Sequence, residues 1–275
     1  MIKAKKFHLG SVHKLSHLKE AARLASSGVP IGFYNRGVFA LWGDAKNTSF
    51  VESVEKIKGE ARKGKPLGAT LSAKQLVEHL DKELIPAKFH HIFLNPQELS
   101  DRLGSLCFYR LPLTRQSLEK IPSSLISWNK DVPTIQNWDP SGHKPAGNLM
   151  QEFLAQGIDF PGITSLNLSD QPEIVTDEEA KVFAMERGIP LLLLDEKDPR
   201  TAQGSYPILE FNGDSISLVR QGHISHELLS HILSVTIDAT NAKLAKYPQT
   251  AISFDEMEKM TPSIIRTKIL ARLYV

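Results

Sequence analysis

Residues 162–169, Gly162-Ile163-Thr164-Ser165-Leu166-Asn167-Leu168-Ser169, begin as an apolar strand and end as a run of hydroxyl and amide side chains. Side chains alternate along an extended chain, so Ser165 and Asn167 leave the strand end on the same side. Two readings fit. A hydroxyl and an amide delivered together can hold a polar ligand, and a Ser/Asn-rich segment can equally close a strand as a turn.

The surrounding pattern is that of an α/β domain. Upstream, 14–27 places Leu15, Leu18, Ala22 and Ala25 at helical spacing, with Gly28 as a stop. Strands at 29–33 and 38–42 flank the turn Asn35-Arg36-Gly37. A helix over 48–58, capped by Thr48 or Ser49, runs into a basic, Gly-containing loop at 59–66. A strand at 67–71, a helix at 72–84 capped by Ser72, and a strand at 104–111 follow. The five prolines between 112 and 148 predict loop or broken strand there. Downstream come helices at 146–156 and 177–187, a strand at 189–194, and a hairpin of 208–211 with 215–220 around Asn212-Gly213-Asp214. Helices are expected over 225–246 and 253–273. The simplest division is one domain over 1–230 and a C-terminal helical extension over 231–275.

Composition is that of a soluble globular chain: 41% hydrophobic, 23% charged and 7% aromatic over 275 residues. Apolar runs such as 189–194 are too short to span a bilayer, and no apolar stretch follows the basic N-terminus, so neither a membrane span nor a secretory signal is expected. Cys107, the lone cysteine, cannot make an internal disulfide and fits a reducing cytoplasm. The net charge of +2 hides an uneven distribution: Lys56, Lys58, Arg62, Lys63 and Lys65 cluster within ten residues, while 170–198 is acidic. Such a basic cluster is either a solvated face or an anion site.

Familiar catalytic motifs are missing. There is no G-x-x-x-x-G-K-[ST] loop, no G-x-G-x-x-G after a strand and no G-x-S-x-G elbow. His223 and His226 lie three apart but outside any H-E-x-x-H pattern, which argues against a metal pair.

Several segments, in order, resemble the YrdC-like family. Residues 34–41 with Gly43-Asp44-Ala45 resemble its P-T-[DE]-T-[VA]-[YF]-G-L-x-x-[DN]-A opening, and 56–67 resembles its I-K-x-R-P-x-x-K-P-L segment. Residues 164–169 resemble its [ST]-S-A-N-x-S-G signature. Gly104–Pro112 is similar to its P-G-x-x-T-x-[VI] strand, and Val219-Arg220-Gln221-Gly222 to its closing [IL]-x-R-x-G. The resemblance spans about residues 10–230 and implies a twisted mixed sheet with flanking helices and a basic concave cavity.

It further implies a threonylcarbamoyl-AMP synthase, a cytoplasmic enzyme combining ATP, L-threonine and bicarbonate, with Mg2+ on the triphosphate, in tRNA modification. Its alternative is a non-catalytic or altered-specificity relative that binds nucleotide or double-stranded RNA. Matched position by position, Lys58, Arg62, Ser165 and Asn167 take the catalytic places. Lys58, Ser165, Asn167, Ser205 and Arg220 take the nucleotide-binding places, and Asn35 and Asn137 the substrate-binding places. Positions that differ from the pattern are Asn35 for its Thr, Cys107 for its strand Thr, Asp170 for its closing Gly, and Asn137 near its central R-V-P arginine. The K-x-R spacing is also stretched: Glu60 stands two after Lys58, and Arg62 four after.

Overall fold

The structure, a computed structural model, describes residues 7–198, 200, 203–245, 247, 249, 264 and 267. Its centre is one mixed sheet. The strands are β1 (His8–Ser11), β2 (Ile31–Tyr34), β3 (Phe39–Asp44), β4 (Gly68–Ala69), β5 (Phe108–Pro112) and β6 (Ile126–Asn129). They continue with β7 (Val132–Asn137), β8 (Pro161–Ser165), β9 (Leu191–Leu194), β10 (Ile208–Asn212), β11 (Ser215–Arg220) and β12 (Ile237–Asp238). The order is β1-β9-β2-β3-β8-β4-β7-β5-β10-β11-β12, with β6 on β7. β9, four leucines, lies parallel between β1 and β2. Burial of its first three on both faces explains why it shows no alternation.

The β2–β3 hairpin turns at Arg36 and Gly37, both at positive φ (35° and 81°), and the Tyr34 hydroxyl accepts from Gly37 N at 2.9 Å. Successive residues of β3 enter opposite cores. Phe39 and Leu41 join a cluster with Phe50, Val54, Leu99 and Leu228. Ala40 and Trp42 join one with Leu18, Ala22, Leu149 and Phe153, from the helices Leu15–Ser26 and Lys144–Ala155. Helices thus cover both faces, as the two-sided apolar pattern requires.

Several expected elements change. The helix Thr48–Lys58 has its expected bounds, but its cap is Asn47, whose Oδ1 accepts from Ser49 N at 3.0 Å. Ser72 makes its capping box with Gln75, yet that helix ends at Val77. Residues 112–148 hold the antiparallel pair β6–β7 in spite of their prolines: Pro133 sits opposite Trp128 with its carbonyl still accepting from Leu113 N. The helix expected over 225–246 stops at Leu233, because Ser234 is left-handed (φ 56°, ψ 38°), and the chain returns as β12, parallel to β11. Most of the helix expected over 253–273 lies outside the described residues. Among the described residues no helix is long and apolar enough to cross a membrane.

Candidate anion-binding cavity

β8 runs antiparallel to β3, with Ser165 opposite Ala40, which carries the end of β8 past the β2–β3 turn. On the far side, the helix Thr48–Lys58 ends at Gly59, whose φ of 80° favours glycine, and the chain makes a single tight turn over Glu60–Arg62. This break, not helical i+4 spacing, lets Lys58 and Arg62 both face inward. The resulting cavity, about 460 Å³, is lined by Asn35, Lys58, Arg62, Ser165, Asn167, Ser205 and Arg220. Seven of the eight site residues expected from sequence therefore share one wall system.

Lys58 is buried and donates from Nζ to the backbone oxygens of Ser165 (2.6 Å) and Asn167 (2.8 Å) and to Asn167 Oδ1 (3.1 Å). Ser165 Oγ donates to the same Oδ1 at 2.5 Å, and Asn167 Nδ2 donates to Gln171 O at 2.8 Å. The segment turns, as one of its two readings expects, and Ser165 and Asn167 line the cavity. Burial, reinforced by the charge of Arg62, pulls the Lys58 ammonium down to about 7. Burial also lowers Arg62, to about 10, while its Nη2 donates to Pro66 O at 2.9 Å. Arg220 Nη2 donates to Ser205 Oγ (2.6 Å) and Tyr206 O (2.8 Å).

Asn137 lies elsewhere. It is fully buried, its Oδ1 accepts from Leu71 N at 2.8 Å, and its Nδ2 donates to Leu71 O at 2.9 Å. Its amide ties β7 to the segment after β4, and it does not line the cavity with the other expected site residues. Cys107 is also buried, and desolvation pushes its thiol up, leaving it inert. Asn35, in contrast, is one of the lining residues, and its buried Oδ1 has no hydrogen-bond partner among the described residues.

Sequence reasoning missed Arg110, Gln136, Glu173 and Lys243, which also line the cavity. Arg110 on β5 is directly opposite Gln136 on β7 and donates to its Oε1 at 3.0 Å. A cation therefore reaches this part of the floor from the neighbouring strand. Its signal was a lone charge inside an apolar strand, Phe-Tyr-Arg-Leu-Pro. Lys65 also lines the wall, so the cations are Lys58, Arg62, Lys65, Arg110, Arg220 and Lys243, against the carboxylates Asp170 and Glu173. Asp170 has φ 67°, the left-handed backbone that explains a glycine at this place in the motif. Its carboxylate pairs with Lys65 at 3.4 Å on the exposed rim. Among the described residues no three His, Cys, Asp or Glu gather as a metal site.

Fold and cavity together define a mixed α/β protein with a cation-rich pocket at the end of a central strand. No known family's sequence model matches the chain, and no curated protein matches it in sequence. Solved structures do. Sua5 of P. abyssi, complexed with L-threonine, superposes with a TM-score of 0.61 at 17% identity, covering 90% of this chain and 69% of that one. Against a double-alanine variant of the same protein the cover is 84% and 65%, so this chain spans under two-thirds of that length. E. coli YciO matches at TM-score 0.58 and 14% identity, over 79% of this chain and 94% of its own. Full-length HypF, in its phosphate- and nucleotide-bound form, matches at TM-score 0.55 and 20% identity, over 75% of this chain and 29% of that one. The fold is the YrdC-like fold that the motifs predicted.

Proposed function

We propose that the chain is a divergent YrdC-like protein whose cavity binds a nucleotide together with a small amino acid, and that its reaction is threonylcarbamoyl-AMP synthesis from ATP, L-threonine and bicarbonate. The observation that carries this reading is the convergence of Lys58, Arg62, Ser165, Asn167, Ser205 and Arg220 on one cavity. All three substrates are anionic or carry a carboxylate, and a cation-rich, partly desolvated wall is what holds such groups together and stabilises charge developing on the phosphate. The α-phosphate would face Arg220 and Ser205. The amino-acid carboxylate would face Arg62 and Arg110, and Asn35 would accept a hydrogen bond from the ligand. Mg2+ would arrive on the triphosphate, with Glu173 as the lining carboxylate available to it, and would neutralise phosphate charge there.

The likeness to the L-threonine complex of Sua5 supports the small-molecule part of this reading. A second reading is that the cavity binds nucleotide, or structured RNA at its rim, without turnover. It is favoured by Lys58, whose hydrogen bonds all go to Ser165 and Asn167. The test is incubation with ATP, L-threonine and labelled bicarbonate. Label in a nucleotide product with stoichiometric pyrophosphate supports the synthase. ATP binding without either product supports the second reading.

A further inference from the structure

A polar row crosses the sheet at the cavity. Gln136 on β7 is paired directly with Arg110 on β5, and Arg110 directly with Glu210 on β10. Their sequence neighbours Ile135, Tyr109, Leu111 and Leu209 all enter the same apolar cluster. Strand alternation therefore puts the three polar side chains together on the opposite face. Phe108, two residues before Arg110 and on that face, lines the cavity, as do Arg110 and Gln136. Glu210 is not among the lining residues.

The row holds one guanidinium from both sides. Arg110 Nε donates to Gln136 Oε1 at 3.0 Å, and its Nη1 donates to Glu210 Oε2 at 3.2 Å. Nη2 makes no hydrogen bond among the described residues, and it is not one of their fully buried unpartnered atoms. The Arg110 and Glu210 side chains are 33% and 31% exposed, and an ion pair so open to water adds little to stability. What the pair supplies is orientation. A guanidinium is a planar fork with fixed donor directions, so anchoring two of its nitrogens sets where the third points.

We infer that Glu210 and Gln136 are positioning residues: they hold Arg110 so that Nη2 is the donor offered to an anionic group of the bound ligand. The inference rests on reading the cavity as a site for small anions. That group has two candidate sources, the carboxylate of an amino acid or a phosphate of a nucleotide. Holding a flexible arginine in its bound geometry improves affinity, because less rotamer freedom is lost on binding. Glu210 is the informative member of the row. Through charge alone a carboxylate beside the binding cation repels an anion, so its removal would strengthen binding. Positioning predicts the opposite sign.

The experiment is calorimetric titration of the full chain with ATP and with L-threonine, for the wild type, Glu210→Met, Glu210→Gln and Gln136→Met. Glu210→Met removes both charge and acceptor, whereas Glu210→Gln removes the charge and keeps an acceptor oxygen. Glu210→Met and Gln136→Met should each weaken one ligand about threefold to tenfold, while Glu210→Gln binds it at least as tightly as the wild type. The ligand that is weakened, ATP or L-threonine, identifies the group held as phosphate or carboxylate. In an Arg110→Met background, Glu210→Met should weaken neither ligand further, which a general structural role would not give. If Glu210→Met or Gln136→Met leaves both affinities unchanged or raised, the inference is overturned and the cavity reading stands. Equal weakening by Glu210→Gln and Glu210→Met also overturns it. Binding of neither ligand by the wild type overturns the cavity reading along with it.

Discussion

Lys58 Nζ lies 2.8 Å from the Asn167 backbone oxygen and 3.1 Å from its side-chain Oδ1, joining a helix end and a strand-end loop 109 residues apart. One ammonium therefore both shapes the 164–169 loop and sets the charge of the cavity wall. Its burial brings its protonation into the range that physiological pH changes.

The first prediction follows from that position. Burial lowers the Lys58 pKa to about 7 from its ordinary 10.5, so the unfolded chain holds the proton more tightly than the native one. Between these values the unfolded state binds more protons, and Lys58 makes stability rise with pH from about 7 to 10.5. Below that window the native state carries the full cost of the buried charge. An anion in the cavity favours the charged form, so AMP affinity should fall as pH rises through about 7, by up to about tenfold per unit. Titrations at about pH 6 to 8.5, bracketing that value, check this, and Lys58→Met should flatten the profile.

Arg110 is the cation that reaches the floor from β5. Arg110→Met should weaken ATP binding by about tenfold, measured by calorimetry. The fold should tolerate it, since the Arg110–Glu210 pair at 3.2 Å is part-exposed, and such pairs are worth under about 1 kcal/mol. A melting temperature unchanged within a few degrees, beside the affinity loss, is the expected combination.

Asp170 combines a left-handed backbone with a carboxylate at the cavity wall. Asp170→Gly should stabilise the fold by about 0.5–1 kcal/mol in urea denaturation, by removing the left-handed penalty. It should also strengthen ATP binding several-fold. The lost Lys65 contact is exposed on both sides and costs little.

Asn137 should behave oppositely. Asn137→Ala leaves Leu71 N and O without their side-chain partner in a fully buried setting and should destabilise the fold by about 2–4 kcal/mol. The ATP affinity of the remaining folded protein should be unchanged. A substrate contact would give the reverse pattern.

Much of this site was legible because its residues come in short runs. Lys58 with Arg62 and Ser165 with Asn167 are local pairs, and the strand alternation at Ser165 and Asn167 is a sequence property. Arg62 entered the cavity through a backbone break at Gly59, which spacing arguments on a regular helix do not foresee. Arg110 was hidden for a different reason: its partner Gln136 is brought opposite it only by the β5–β7 register. Asn137 lies away from the cavity because a motif position near an expected arginine says nothing about which face of β7 it occupies. The helix expected over 225–246 failed at Ser234, where a single left-handed residue ended an otherwise apolar-periodic segment.

The most direct test of the central claim, one cation-lined cavity that binds nucleotide, is calorimetric titration of ATP into the wild-type chain and into Arg62→Met and Arg220→Met. The account predicts one site per chain, weakened at least about tenfold by either substitution. Absence of ATP binding, or binding that neither substitution weakens, would contradict it.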